Sequence, residues 1–552
     1  MNLLLDAKQI HNNFDMTVNT LFNSALVIEQ QALAQSHLRY SLRSIGFNRV
    51  DLVDRSYLAI KALKNSTYDL VVCSSSLNDS CDGYQLFELI RTNNLISPTT
   101  CFVFLSSDTK IDKSRSVLEL KPDDCVVKPY SVQTIQQRLL KALNKKLLFK
   151  PYYQLIEKQA YSEASLYLSR QLAGNDDRFQ TMQLLKLKGE LIVKTEQWQT
   201  AESFYEKICQ AYSSPWAHLA YAQTLIELNK IEHAEHILNS LKENPATELQ
   251  AYDLLTKIHT KSQNYELAAV YTKHAAGLSS RNIVRLKQLL ALSRLVHDFE
   301  TQYKISHSII NEVRHSVYES SEHYFTAIRS NIDFALTSLN EEHAYHLTKS
   351  CHNMFGRIKT LYPTSVNTES YSIMQARLFN LRNDKDYAKR LVKKSIEQQD
   401  INNVEDGLDK AKALHELGFY RESELAFENL MEYALQNSSD DIIKTHILEQ
   451  MKLRKDIKES PKNINNYAVV SFESGSYFKA FESFKKAFRL MPKNPSIILN
   501  LMQSSIELMK HQPDQKLQQT IEMCEQSLGK LQLSIEQSNR YQKLTRLNNI
   551  AA

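Results

Sequence analysis

Glycine and proline are scarce in this chain of 552 residues, with ten and eleven occurrences against average usage of about 7 % and 5 %. Few turns therefore demand special backbone angles, long helices are favoured, and an all-β architecture is excluded. The glycines never lie closer than 11 positions apart, so neither GxGxxG nor a Walker loop can be written. Without clustered glycines successive backbone N–H groups cannot approach an anion, and ordinary NTPase and dinucleotide readings lose their support. The seven cysteines are odd in number, scattered and never CxxC, which points to a reducing compartment. Long hydrophobic runs are missing too. The amino terminus MNLLLDAKQIHNNFD carries three leucines interrupted by Asp6, too short for a signal-peptide core, and no later stretch approaches the roughly 20 apolar residues of a membrane span. A cytoplasmic protein is expected. Charge of one sign is not in excess: 67 basic against 62 acidic residues leave +5, so neither a strong nucleic-acid footprint nor an acidic tail is indicated. HExxH and GxSxG do not occur, nothing local suggests a nucleophilic triad, and no enzymatic activity or cofactor is expected.

With 43 % hydrophobic and 23 % charged residues, the chain can bury several cores and divides into three or four domain-sized pieces. After an N-terminal extension (1–20), the stretch 21–146 alternates apolar runs, ALVI, VDLV, DLVVC, CFVFL and CVV, with amphipathic segments such as QALAQSHLRYSLRSIGF. Five buried strands with intervening helices are predicted, in a doubly wound parallel sheet whose binding crevice lies at the carboxyl ends of the strands.

At those ends the chain resembles the response-regulator receiver family, on CVVKPY (Cys125 to Tyr130), LRSIGF, CDGYQLFELIR and FVFLSS. The resemblance implies the five-stranded flavodoxin-like fold, an acidic pair that binds magnesium, an Asp phosphoacceptor after strand three, a hydroxyl after strand four and a lysine after strand five. Carried across, Ser106 matches the hydroxyl and Lys128–Pro129 the lysine and its proline. The acidic pair becomes Glu29 and Gln30, and the acceptor position, counted back from Asp82–Gly83, falls on Ser75. A carboxylate nucleophile and a hard-oxygen magnesium site are both lacking, so a pseudo-receiver is expected. Asp79 or Asp82 as a displaced acceptor is weighed against a capping role in the loop SLNDSCDG, and Lys128 as an anion site is weighed against an internal ion pair.

Beyond residue 146 the chain reads as all-α. An aromatic or apolar residue followed by a small one recurs as Tyr161/Ala164, Trp198/Ala201, Ile231/Ala234 and Tyr265/Ala268, the alanines 37, 33 and 34 apart, a period at which each unit buries its face only against its neighbours. This resembles tetratricopeptide (TPR) repeats, most closely in NYAVVSFESGSYFKAFESFKKAFRLMPKNPS, where Tyr467, Ala468, Gly475, Tyr477, Ala480, Phe484, Ala487 and Pro492 fall on the pattern. Repeats are expected over 147–285, divergent helical repeats over 286–365, where Glu341 to Ala344 is the one weak match, and repeats with capping helices over 366–552. The resemblance implies an α-solenoid whose groove is lined by Gln183, Lys186, Glu190 and Val193, then Trp216, Leu219, Gln223 and Ile226, then Gln250, Asp253, Lys257 and Thr260. Trp216 is read either as an exposed anchor or as packing beside Pro215.

His233 with His236 and His343 with His346 share helix faces, but no third ligand completes a metal site. The basic junction RLLKALNKKLLFKPYY reads as the last receiver helix running into the array, and the 27 Tyr and 21 Phe follow the repeat period rather than basic stripes. The expected function is a bacterial signalling adaptor, with a phosphorylation-independent receiver-like module and a TPR array that binds protein partners. The alternatives are a response regulator still switched by phosphate or another ligand at the crevice, and a transcription- or RNA-linked regulator.

Overall fold

Five of the apolar runs form strands: β1 (Ser24–Ile28), β2 (Arg49–Val53), β3 (Leu70–Ser74), β4 (Cys101–Ser106) and β5 (Asp124–Val127). In this computed structural model, residues 22–551 are described, except 78, 80, 108–110, 175, 176, 315, 317, 397–400, 402, 439, 512 and 513, and the expected extension 1–20 lies outside the described residues. The strands make one parallel sheet in the order β2-β1-β3-β4-β5. Its register pairs Ile28 with Cys73, Ser74 with Leu105 and Ser106 with Val127, which sets the carboxyl ends of β1, β3, β4 and β5 side by side.

Alternation splits each strand between two cores. Ala25, Val27, Leu70, Val72, Val103 and Leu105 pack with α1 (Ala32–Ser44) and α5 (Val132–Leu148). Leu26, Ile28, Val71, Cys73, Phe102 and Phe104 pack with α2 (Ser56–Asn65), α3 (Gly83–Thr92) and Val117 of α4 (Ile111–Glu119). Phe87 of α3 stacks on Phe102 with ring centroids 3.8 Å apart. Two strands, not five, are buried throughout, β3 and β4, and β1 is buried in all but Ser24: β2 is an edge strand whose residues are half-buried or exposed, and Val127 of β5 is exposed. Local signals set the helix starts. Asp82 and Gln85 form a reciprocal capping box at α3, and Ser131 accepts from the Thr134 N–H at α5.

The rest of the described chain is helical. In sequence come α6 (Lys150–Glu157), α7 (Tyr161–Ala173), α8 (Arg178–Lys194), α9 (Trp198–Ala211), α10 (Pro215–Glu227), α11 (Ile231–Leu241), α12 (Glu248–Lys261), α13 (Tyr265–Leu278), α14 (Ile283–Leu295) and α15 (Phe299–Val313). Then follow α16 (Ser321–Thr337), α17 (Glu341–Leu361), α18 (Glu369–Leu381), α19 (Lys385–Ile396), α20 (Val404–Glu416), α21 (Tyr420–Asn437), α22 (Asp441–Asp456), α23 (Pro461–Glu473), α24 (Tyr477–Leu490), α25 (Pro495–His511), α26 (Gln515–Leu528) and α27 (Ile535–Ala551). Two compact units result, Met1–Leu286 with Glu312–Glu319, and Lys287–Asn311 with Ser320–Ala552.

One turn recurs. Gln159, Glu196, Asn229 and Gln263 in the first unit have left-handed backbone, at spacings of 37, 33 and 34, and so do His297, Asn383, Gly418 and Gly475 in the second. After each, the next N–H bonds five residues back, as in Ala160 to Leu155, Gln197 to Ile192, Lys230 to Leu225, Asn264 to His259 and Asp298 to Ser293. This closure satisfies the orphan carbonyls of the first helix and aims the chain into the second. The turn at His297, 34 residues after Gln263, carries the period into a stretch where the residue pattern is lost. Farther on, α16 and α17 lengthen to 17 and 21 residues. Packing between hairpin helices is close: a Cβ on Gly189 would stand 2.4 Å from the Tyr205 hydroxyl, so the small residue admits the ring.

Candidate functional site

At the carboxyl ends of the inner strands, Glu29 follows β1 and is 1 % exposed. Its Oε2 lies 2.6 Å from the Nζ of Lys128, and its Oε1 accepts the Gln31 N–H at 3.0 Å. The same ammonium donates to the Ser74 Oγ at 2.9 Å. Lys128 follows β5, before a cis peptide bond to Pro129, and its N–H donates to the Ser106 carbonyl. A buried carboxylate is tolerated when it is paired and its remaining lone pairs are met, and both conditions hold for Glu29.

The β3 terminus differs from the residue count in one respect. Lys128 meets Ser74, the last strand residue, whereas Ser75 turns to the mouth. There its Oγ bonds the Ser107 Oγ and accepts the Ser107 N–H, both at 3.1 Å, and Ser76 reaches Ser107 at 2.8 Å. Successive side chains on a strand point to opposite faces, so counting back from Asp82 finds the neighbourhood and misses the hydroxyl under the lysine. Ser106 is buried at the end of β4, and Gln30 carries a buried Oε1 with no hydrogen-bond partner among the described residues.

Asp79 and Asp82 are engaged as caps. The Asp79 Oδ2 accepts the Ser56 N–H and hydroxyl at 2.8 and 2.6 Å, at the start of α2. Asp82 caps α3 and pairs with Arg281 at 2.8 Å. Gly83 lies hard against β3: a Cβ there would be 1.9 Å from the Ser74 carbonyl oxygen. A divalent cation needs several hard oxygen ligands. Here both Glu29 oxygens are committed, Gln30 is an amide, β3 ends in hydroxyls and the two nearby aspartates are caps, so these residues do not fit such an ion. Nor does the end of β3, Ser74 and Ser75, present a carboxylate nucleophile near Lys128.

A second set of residues, of which the sequence reading singled out only Asp82 and Asp253 and in other roles, ties the receiver-like part to helices of the same compact unit. Arg281 donates from Nη2 to Asp82 and from Nε to Glu312 at 3.0 Å, and its guanidinium lies over the Tyr84 ring at 4.2 Å. Arg285, 4 % exposed, bonds Glu119 of α4 at 2.5 Å and Asp253 of α12 at 2.7 and 2.9 Å. Arg115 pairs with Glu248 at 2.5 Å, Ser116 with Ser279 at 2.9 Å, and the Gln85 amide donates to the Glu312 and Arg314 carbonyls at 3.1 and 2.8 Å. Burial pushes Glu88, on α3, up to about 7 despite the opposing charge of Arg281.

Of the groove positions, Lys186, Glu190, Gln223 and Gln250 are exposed, and Gln183, Leu219, Asp253 and Lys257 are half-buried. Asp253 is held by Arg285 and Lys257 by Glu227. Trp216 is half-buried against the core, edge-on to Tyr205 at 6.5 Å. Among the described residues no group of three His, Cys, Asp or Glu is placed to hold a metal ion, and no helix is long and apolar enough to cross a membrane.

Residues 25–140 match the family model of the response regulator receiver domain. Solved structures similar to this chain include the signal receiver domain of a modulated diguanylate cyclase from Desulfovibrio desulfuricans G20, at 20 % identity over 23 % of this chain and 98 % of that one, TM-score 0.21. A second is the receiver domain of a sensor histidine kinase from Pseudomonas aeruginosa PAO1, with magnesium coordinated in its active-site cleft, at 22 % identity over 22 % and 98 %, TM-score 0.20. A third is a response regulator receiver domain protein from Methanospirillum hungatei JF-1, at 14 % identity over 23 % and 96 %, TM-score 0.21.

Proposed function

We propose that this chain is a cytoplasmic signalling adaptor, in which the receiver domain acts without aspartyl phosphorylation and the helical part, read as TPR-type repeats, binds protein partners. The observation that carries the reading is the closed set Glu29–Lys128–Ser74: the lysine that would neutralise a phosphoryl group is satisfied internally at 2.6 and 2.9 Å, and neither Ser74 nor Ser75 offers a carboxylate. The receiver domain fits a signalling protein, and the recurring helix–turn–helix closures support a repeat array whose extended surface suits peptide or helix ligands. The reading assigns no chemical step and no cofactor to the chain.

The test is phosphotransfer from acetyl phosphate and from phosphoramidate in the presence of magnesium, read by intact mass on the full chain. No adduct is expected. A stoichiometric adduct labile to hydroxylamine, lost in Asp79→Asn or Asp82→Asn, would refute the proposal.

A further inference from the structure

The second unit contains a cavity of about 160 Å³ whose lining includes Arg294, His297, Lys412, His446 and Arg454. Its size is that of an engineered cavity of about 150 Å³ that takes up benzene, and Phe299, Leu453 and Ile457 give it an apolar side. The carboxylates in its wall are largely neutralised elsewhere. Asp333 and Glu416 are both held by Arg377, at 2.6 and 2.7 Å, and Asp333 also takes Lys412 at 2.8 Å; Glu459 is exposed.

Arg454 is different. Its Nη1 donates to Gln450 at 2.7 Å, but it forms no ion pair among the described residues, and its Nε has no hydrogen-bond partner. His446, 7 % exposed, contributes to the same wall an imidazole whose Nδ1 is also unpartnered, and the Nη2 of Arg294 is a third such donor. Burial, then the neighbouring cations, hold His297 down at about 4 and His446 well below its ordinary range. The lining thus brings together an arginine with no ion pair among the described residues, two histidines held neutral, and apolar side chains. A buried polar group without a partner is costly, and a guanidinium fork matches an oxyanion.

We propose that this cavity binds a small organic oxyanion, a carboxylate or phosphate monoester on an apolar body, with the charged head on Arg454 and His446 and the body against Phe299, Leu453 and Ile457. A guanidinium N–H and a neutral imidazole N–H supply two donors to one oxyanion, and the ligand brings the counter-charge that Arg454 lacks among the described residues. The second unit then becomes a small-molecule-binding unit.

Isothermal titration calorimetry on the full chain tests this, with sodium benzoate, phenyl phosphate, inorganic phosphate and neutral benzyl alcohol as probes. Benzoate or phenyl phosphate is expected to saturate one site, with benzyl alcohol and inorganic phosphate each at least tenfold weaker. Arg454→Gln is expected to weaken the bound anion at least tenfold, about 1.4 kcal/mol, without lowering the Tm of the free protein, because it removes an unpaired cation. If Arg454→Gln does not fold, His446→Gln serves in its place with the same expected loss. The proposal is overturned if no anion saturates, if benzyl alcohol binds as well as benzoate, if inorganic phosphate binds as well as phenyl phosphate, or if the folded variants bind as the parent does.

Discussion

Replacing Arg285 by Met tests whether the receiver domain is fastened to the helices of its own compact unit by charge rather than by apolar contact. The guanidinium donates twice to Glu119 and twice to Asp253, at 2.5 to 3.2 Å, and is almost fully desolvated. Charge-assisted hydrogen bonds contribute about 1.5–3 kcal/mol each, but four on one group are not additive. Removal also relieves the desolvation of the arginine, and Asp253, 41 % exposed in its side chain, can rehydrate. Breaking a buried pair by deleting one partner costs about 3–5 kcal/mol, and the rehydration of Asp253 places Arg285→Met near the bottom of that range, about 3 kcal/mol. Glu119→Gln should cost less, about 1.5 kcal/mol, because Arg285 keeps its fork on Asp253. Hydrogen exchange of the α4 amides reads the opening: a loss of about 3 kcal/mol accelerates exchange by about 100-fold. A double-mutant cycle should return a coupling of at least about 1 kcal/mol, little changed by added salt because the pair is shielded from solvent. Exchange accelerated less than threefold in Arg285→Met, or a coupling near zero, would refute the reasoning.

Lys128→Met strands the buried Glu29 carboxylate and should cost about 3–5 kcal/mol, whereas Lys128→Met with Glu29→Gln should recover most of it, as measured by urea unfolding. Gly83→Ala drives a methyl into the Ser74 carbonyl, a backbone atom that cannot step aside, and should destabilise the receiver domain by about 3 kcal/mol in the same assay. Gln263→Gly, at φ +58°, should stabilise the chain by about 1 kcal/mol, because glycine holds left-handed backbone without a Cβ clash; unchanged unfolding would contradict the turn geometry. Glu88 is raised by burial to about 7 from 4.5, so the unfolded chain loses its proton first as pH rises. Stability therefore falls across that window and levels off above it. Discounted for its partial exposure, Glu88→Gln should gain about 1–2 kcal/mol over the parent at pH 8 and nothing at pH 4.5.

The sheet was legible because its signals are local. ALVI, LVVCS and CFVFL are runs of β-branched and aromatic residues bounded by turn residues, and a strand buried on both faces needs little else. VDLV reads the same in sequence, yet it lies at the edge with Asp51 and Arg49 in a surface ion pair, because burial of a strand depends on what lies beside it. The hairpins were legible from their small residues, Ala201, Ala234 and Ala268, since close helix crossing demands them. His297 shows the opposite case: its left-handed turn and its 34-residue spacing persist where no small residue announces them. At the receiver site Lys128 and Glu29 were visible, but which serine the lysine meets depends on the last half-turn of β3, and a one-residue step reverses the side chain.

The charge clusters were not legible, for a physical reason that Arg377 makes plain. On α20 the residues Glu405, Asp406, Asp409, Lys412 and Glu416 recur three or four apart, a pattern that reads as a solvated face with local ion pairs. Asp409 is instead 2 % exposed and Lys412 9 %, because α16 and α18 bring Arg329 and Arg377 against them. Arg329 meets Asp409 at 2.6 Å and Glu322 at 2.7 Å; Arg377 meets Asp333, Glu416 and Asp409 at 2.6, 2.7 and 3.1 Å. Burying these ions becomes tolerable only when several partners arrive together from different helices, and no window of sequence contains all of them. The one local hint is Arg377 itself, set among Ile373, Met374, Ala376 and Leu378, all buried. An arginine on an apolar stripe must have its carboxylates brought to it. The same reasoning isolates Arg454: its neighbours Glu416 and Asp333 are already taken by Arg377, and among the described residues it forms no ion pair.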